Sequence, residues 1–282
     1  MLLKRKTSAE TLKLQEKYGV PYLVFPSLEN TGLVRHAFST RLGGCSTGDL
    51  ATMNLSSTRG DDPENVKENF QRFGAAVGFD PKDLVLSLQT HTTNVRLVTE
   101  EDRGKGFTRP RDYKDVDGLI TNVPGLVLAT FYADCVPLYF VDPVHRAIGL
   151  SHSGWRGTVN RMGEVTLQRM KEAFGTRPSD VWTAIGPSIC QDCYEVSEDV
   201  AQEFISAFEV RADNRLLYRK ENGKYQLNLW RANELVLLES GVPKDRIAVT
   251  DICTCCNPQV LFSHRASKGK RGNLGAFLQL LS

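Results

Sequence analysis

Three residues of this chain carry side chains that could share one metal ion: His91, Cys135 and His152. Each falls at the edge of an expected strand. His91 lies in Gln89-Thr90-His91-Thr92, Cys135 follows the break Ala133-Asp134, and His152 heads the run Ser153-Gly154-Trp155-Arg156-Gly157. Two neutral imidazoles and a thiolate suit zinc, fill three corners of a tetrahedron and leave the fourth for water, as catalytic rather than structural zinc does. The centre would carry a net positive charge before water binds and would draw the pKa of that water towards neutrality. The separations of 44 and 17 residues match no local zinc signature, so the grouping has to come from folding. Taken singly, a histidine or cysteine at a strand end is more often a packed or hydrogen-bonded core residue.

The neighbouring residues extend this chemistry. Asp134 could orient a ligand or carry a proton, with an Asx-type turn as its plain alternative. Gly154 and Gly157 bracket Trp155-Arg156 and would let backbone amides approach a ligand; Arg156 and the start of a following helix would make an anion site. Thr40-Arg41-Leu42-Gly43-Gly44 is a second basic, glycine-rich element, and Arg41 could face a phosphate or sugar. The remaining cysteines, Cys190-x-x-Cys193 and Cys253-x-Cys255-Cys256, could in principle supply four thiolates to a structural zinc. If residues 253–256 form a strand, however, neighbouring side chains point to opposite faces, so packed or redox-sensitive thiols are expected there. No dinucleotide fingerprint, P-loop or nucleophile elbow is present.

The elements that must position these residues read as a mixed set. Leu84–Leu88 and Val95–Val98 have strand character on either side of His91, and residues 126–150 are nearly continuous strand signal broken at 133–135 and 142–143. Tyr22–Phe25, Val181–Ile185, Ile247–Thr250 and Val260–Ser263 add further expected strands. Helices are expected from Asp62-Pro63 to Gly78, behind Trp155 to Gly175, from Ser197 and from Asn228. The first 20 residues are polar and read as an N-terminal extension that frays or forms a short helix, with residues 21–282 as one domain. Strands and helices alternate without a regular βα rhythm, which predicts an α+β fold.

Composition narrows the class. A chain of 282 residues with 41% hydrophobic and 24% charged residues reads as an ordinary soluble globular protein. A net charge of +2, from 35 basic and 33 acidic residues, gives no field for nucleic acid or anionic lipid. There is no apolar core of a signal peptide after Lys4-Arg5-Lys6 and no stretch of membrane-spanning length, so a cytoplasmic location is expected, without nucleic-acid or membrane partners. In that compartment seven cysteines read as reduced thiols or metal ligands.

Several segments, in order from about residue 36 to the C-terminus, together resemble one family. They are Phe38-Ser39-Thr40-Arg41-Leu42-Gly43-Gly44, Asn54-Leu55 with Gly60-Asp61-Asp62, Gln89-Thr90-His91, Asp117-Gly118-Leu119-Ile120-Thr121, Ala133-Asp134-Cys135-Val136-Pro137, His152-Ser153-Gly154-Trp155-Arg156-Gly157, Ile185-Gly186-Pro187 and Phe262-Ser263-His264-Arg265. The family is that of the laccase-domain or multicopper polyphenol oxidase proteins, also known as YfiH/YlmD-type purine nucleoside phosphorylases. The resemblance implies His91, Cys135 and His152 as zinc ligands and a single layered α/β/β/α domain with mixed sheets. It also implies phosphorolysis of adenosine, inosine and methylthioadenosine together with adenosine deamination, on purine nucleoside and phosphate as partners. Copper oxidase activity, with Cu2+ in place of Zn2+, has been attributed to the family as well. A metal-independent hydrolase with Cys135 as nucleophile and His152 as base remains a third reading of the same residues. Departures are Thr92, where many relatives carry glycine, Ser153 for alanine, and Gly272-Asn273 for a late Gly-Arg pair, which removes a charge. A monomer or a homodimer is expected.

Overall fold

The computed structural model describes residues 3–208 and 215–282. Two six-stranded sheets stack face to face, and helices cover the outer face of each. The first sheet runs in the order Lys13–Lys17, Val20–Val24, Val34–Ser39, Leu274–Leu280, Val127–Tyr132 and Leu84–Leu86. The second runs Ile247–Val249, Trp182–Ile185, Val136–Asp142, Ala147–Ser153, Gly118–Thr121 and Val95–Leu97. Both are mixed. Leu84–Leu86 pairs parallel with Val127–Tyr132, and parallel pairs also lie at each edge of the second sheet, the remaining pairs being antiparallel. This is the layered α/β/β/α arrangement that the family resemblance implies, and it fits the α+β class read from the residues.

Alternation along the strands explains why the sheets stack. In Val136–Asp142, Tyr139 and Val141 face the partner sheet, while Val136, Leu138 and Phe140 face the helices. In Leu274–Leu280, Leu274, Ala276, Leu278 and Leu280 face inward and Phe277 outward. Strands buried on both faces follow this two-residue period with apolar residues at every step. Val66, Phe70, Phe73 and Ala76 form the buried stripe of the helix Pro63–Val77 and pack over Val24, Ala37, Val127 and Phe277. That helix begins where Asp62 accepts a hydrogen bond from the Glu64 amide and stops at Gly78, whose φ of 97° few other residues adopt. Met162–Phe174 and Leu229–Glu239 cover the second sheet through Leu167, Met170 and Leu237.

Four local expectations are corrected. Residues 13–17 neither fray nor form a helix; they pair with Val20–Val24 across a Tyr18-Gly19 turn. Val260–Ser263 is not a strand: Val260 and Leu261 donate to the Asn257 carbonyl in a turn. The helix behind Trp155 is broken into Trp155–Val159 and Met162–Phe174 at Arg161, which adopts φ 57°. Leu274–Leu280, at the centre of the first sheet, was not anticipated. His36 lies in the core between the rings of Phe25 and Tyr139, and its Nε2 accepts the Phe25 amide at 2.8 Å. Among the described residues no helix is long and apolar enough to cross a membrane.

Candidate metal centre and cavity

The three expected ligands meet where the chain passes between the sheets. His91 follows the edge strand Leu84–Leu86, Cys135 sits in the turn joining Val127–Tyr132 of one sheet to Val136–Asp142 of the other, and His152 ends the core of Ala147–Ser153. Their ligand atoms all lie within 4.8 Å of one another. Cys135 Sγ is 3.9 Å from His91 Nε2, and the two imidazole rings meet edge to face with centroids 5.0 Å apart. His91 holds φ at 66°, in the left-handed region that few residues other than glycine adopt. Gly154 is required beside them: a Cβ there would sit 3.0 Å from His91 Cδ2 and 3.2 Å from Cys135 Sγ.

Asp117, fully buried, organises both histidines. Its Oδ1 accepts from His152 Nδ1 at 2.8 Å and from the His91 amide at 3.1 Å. Its Oδ2 accepts from the amides of Thr90 and Thr92 and from the Thr92 hydroxyl, each at 3.0 Å. The hydroxyl of Thr92, which glycine could not offer, therefore adds a bond to this carboxylate. With the proton on Nδ1 directed at Asp117, His152 presents Nε2 to the cluster, the arrangement by which carboxylates orient metal-binding imidazoles. Gln89 fixes the same loop, since its amide donates to the Phe131 carbonyl at 2.8 Å and accepts the Phe131 amide at 2.7 Å. On the other side, Ser153 bonds Thr158 and Asn233, so serine in place of alanine ties the His152 turn to the helix Leu229–Glu239.

The charges follow from this packing. Burial alone would raise the Cys135 thiol, but the His152 imidazole and hydrogen bonds from both histidines bring it down to about 6. Burial would lower His152, yet Cys135 and Asp117 raise it to about 9. Burial raises Asp117, and its bond from His152 returns it below the ordinary carboxylate range. Cys135 and His152 thus pair as thiolate and imidazolium, and a metal bound there would release the second His152 proton.

A cavity of about 680 Å³ opens onto His91, Cys135 and His152. Phe70, Phe107 and Phe131 make an aromatic wall, with Phe70 and Phe107 ring centroids 5.1 Å apart. Ser56, Ser57 and Thr58 line another side, and Arg111 and Arg271 bring positive charge. Arg271 is pushed down to about 10, first by burial and then by Arg59 beside it, and neither has a carboxylate partner among the described residues. A positive charge is nevertheless present two residues before Asn273, at Arg271, which also bonds the Asn273 side chain.

The other sequence candidates lie elsewhere. Arg41 does not line the cavity; it donates to the carbonyls of Ala51 and Pro258, both at 2.9 Å, and stacks on Phe262, so it clasps two loops. Arg156 lies over the Trp155 ring at 4.3 Å on a helix of only five residues, also outside the cavity lining. Asp134, at φ 88°, turns its carboxylate away from the cavity: Oδ1 accepts from the Thr254 hydroxyl at 2.6 Å and Oδ2 from the Arg265 amide at 2.7 Å. Its role here is to anchor the turn that carries Cys135. Sequence reasoning missed Asp117 and Arg271 as site residues; the signal for Asp117 was an acid opening an otherwise apolar strand, Gly118–Thr121.

A family profile described as multi-copper polyphenol oxidoreductase laccase matches residues 35–281. The chain is 35% identical over 254 residues to a Bacillus subtilis protein named purine nucleoside phosphorylase YlmD, across 89% of this chain and 90% of that one. It is 33% identical over 231 residues to a protein of an unknown prokaryotic organism named adenosine deaminase RL5, across 81% of this chain and 87% of that one. The crystal structure of the Bacillus licheniformis hypothetical protein YfiH shares the fold with a TM-score of 0.88 at 30% identity, covering 95% of this chain and 99% of that one. Sequence and fold agree over nearly the whole length, and the chain belongs to the laccase-like family of YfiH/YlmD-type proteins.

Proposed function

We propose that the protein is a zinc-dependent purine nucleoside phosphorylase acting on adenosine, inosine and methylthioadenosine, with adenosine deamination as a second reaction of the same cavity. One observation carries the reading: the two-histidine, one-cysteine group opens into a cavity with an aromatic wall and Arg271, which has no carboxylate in ion-pair contact among the described residues. The names of the relatives point the same way. The donor set fits zinc, since two imidazoles, one oriented by a buried carboxylate, and a low-pKa thiolate leave one position open. Zinc held there would supply a Lewis acid beside the substrate.

The chain's own residues would do the rest. Phe70 and Phe131 would stack the purine, and the hydroxyls of Ser56, Ser57 and Thr58 would meet the ribose. Arg271 and Arg111 would hold phosphate, so that one of its oxygens bonds C1′ as the C1′–N9 bond breaks and the electron pair leaves with the purine, which takes up a proton. Burial and Arg59 bring Arg271 down only to about 10, so it stays charged at neutral pH and would present a positive field to an anion.

The test is phosphate-dependent release of hypoxanthine from inosine by protein purified without added metal, with metal content measured on the same sample. Release that requires phosphate and tracks zinc content is expected. Full activity in metal-free protein would overturn the zinc reading and favour the Cys135 and His152 hydrolase. Copper-dependent phenol oxidation without phosphorolysis would favour the oxidase. Against that last reading, His36 is buried in the core and His145 is bonded to Asp142, so neither adds an imidazole to the centre.

A further inference from the structure

A second group of ligands lies outside the cavity. Cys190, Cys193, Cys253 and Cys256 place their four sulfurs within 4.8 Å of one another. Cys193 and Cys256 sulfurs are 3.5 Å apart, and those of Cys190 and Cys256 are 4.0 Å apart. With a zinc–sulfur bond of about 2.3 Å, the edge of a tetrahedral tetrathiolate is about 3.8 Å, midway between those two separations. A [4Fe–4S] cluster would need the sulfurs farther apart, and a disulfide would need two of them at about 2.0 Å.

The backbone is shaped for the same purpose. Residues 254–256 are a turn that leaves a single bridge residue at Cys253, which overturns the expectation that the side chains diverge along a strand. The turn makes two Cys-x-x-Cys pairs, 190 with 193 and 253 with 256, and leaves Cys255 out of the group. Cys253 Sγ accepts the amides of Cys190 at 3.2 Å and Cys256 at 3.4 Å, bonds that stabilise a thiolate, and the first crosses from one pair to the other. The two turns are held side by side by the Ser188–Cys253 bridge and by the Thr254 amide on the Ser188 carbonyl at 3.1 Å. Four thiolates on a divalent ion leave two negative charges, and Lys6, bonded to Asp192 at 2.9 Å, lies close enough to Cys190 and Cys256 to offset part of one of them.

We infer that Cys190, Cys193, Cys253 and Cys256 form a structural tetrathiolate zinc site, separate from the His91, Cys135 and His152 centre. It closes the fold at three points. Asn257, just past Cys256, bonds Lys4 in both directions, which straps the N-terminal segment down. Thr254, between Cys253 and Cys256, bonds Asp134, and the Ile189 amide donates to the Asp134 carbonyl at 3.0 Å. The tetrathiolate thereby braces the turn that presents Cys135.

The test separates the two centres by breaking the first. The full-length Cys135→Ala variant, purified without added metal, should retain one zinc per chain, and its zinc X-ray absorption should fit sulfur ligands alone at about 2.3 Å. Cys256→Ser should lose one zinc relative to wild type; where that variant fails to fold, a mercurial titration of folded Cys135→Ala should release its zinc in step with thiol blocking. Cys135→Ala protein free of zinc with titratable thiols would overturn the inference, as would a mass lowered by about two hydrogens from a disulfide. Wild type carrying a single zinc with an all-sulfur shell would instead count against the proposed catalytic metal and leave this site standing.

Discussion

Asp117→Asn is the most informative single change, because the carboxylate accepts five hydrogen bonds and a carboxamide cannot replace it in either orientation. With its oxygen towards Thr90 and Thr92, the amide NH2 faces His152 Nδ1, which must then become an acceptor and move its proton to Nε2, the nitrogen needed by a metal. With the amide reversed, the NH2 meets the backbone amides of Thr90 and Thr92, two donors that only an acceptor can satisfy, while the Thr92 hydroxyl keeps the Asp115 carbonyl. Each lost bond to a charged acceptor is worth about 1.5–3 kcal/mol. Removing the carboxylate behind a metal-binding histidine weakens metal affinity about 10–100-fold, equivalent to about 1.4–2.7 kcal/mol. Zinc affinity measured by chelator competition should fall by that factor, and inosine phosphorolysis at limiting zinc should fall with it, while circular dichroism stays native. A folded Asp117→Asn protein that holds zinc within twofold of wild type would refute the tautomer argument.

Three further outcomes follow from the same geometry. Gly154→Ala, at φ −72° and ψ −179°, strains no backbone, yet its Cβ presses on His91 and Cys135; turnover should fall on the order of tenfold or more with little change in thermal midpoint, and equal loss of both would point to general destabilisation. Arg271→Ala should raise the KM for phosphate by about tenfold or more and leave zinc content unchanged, whereas an unaltered phosphate KM would remove Arg271 from the anion site. Burial pushes His36 down to about 3, so the folded protein keeps it neutral while the unfolded chain protonates it below about pH 6.5. The stability it contributes is full above about pH 6.5 and declines as pH falls, by about 2 kcal/mol at pH 5. His36→Gln, which keeps an acceptor for the Phe25 amide, should flatten that part of the pH dependence in urea titrations at pH 7 and 5; parallel wild-type and variant profiles would exclude His36 as its source.

Local pattern carried much of this protein. The cap at Asp62 and the stop at Gly78 bound a helix whose apolar stripe is legible by eye, and Asn228 accepts the Arg231 amide as a cap should. That His91, Cys135 and His152 are of types that could share a metal was also readable, because chemistry restricts which side chains can do so. Those are properties of a few consecutive residues, or of one residue's chemistry.

What the tertiary structure decided are the pairings between distant segments. Asp117 serves histidines 26 and 35 positions away only because two strands bring it beneath both. Asp134, 120 residues from Thr254, anchors its turn because another turn packs against it. Arg41 and Arg156 had suitable neighbours in sequence, but folding turned them to loop carbonyls and to Trp155, while Arg271 took the cavity. The four-cysteine group depended on whether residues 253–256 were strand or turn, which their neighbours in space settled. Sequence determined which residues could do chemistry; the packing of two sheets determined which of them meet.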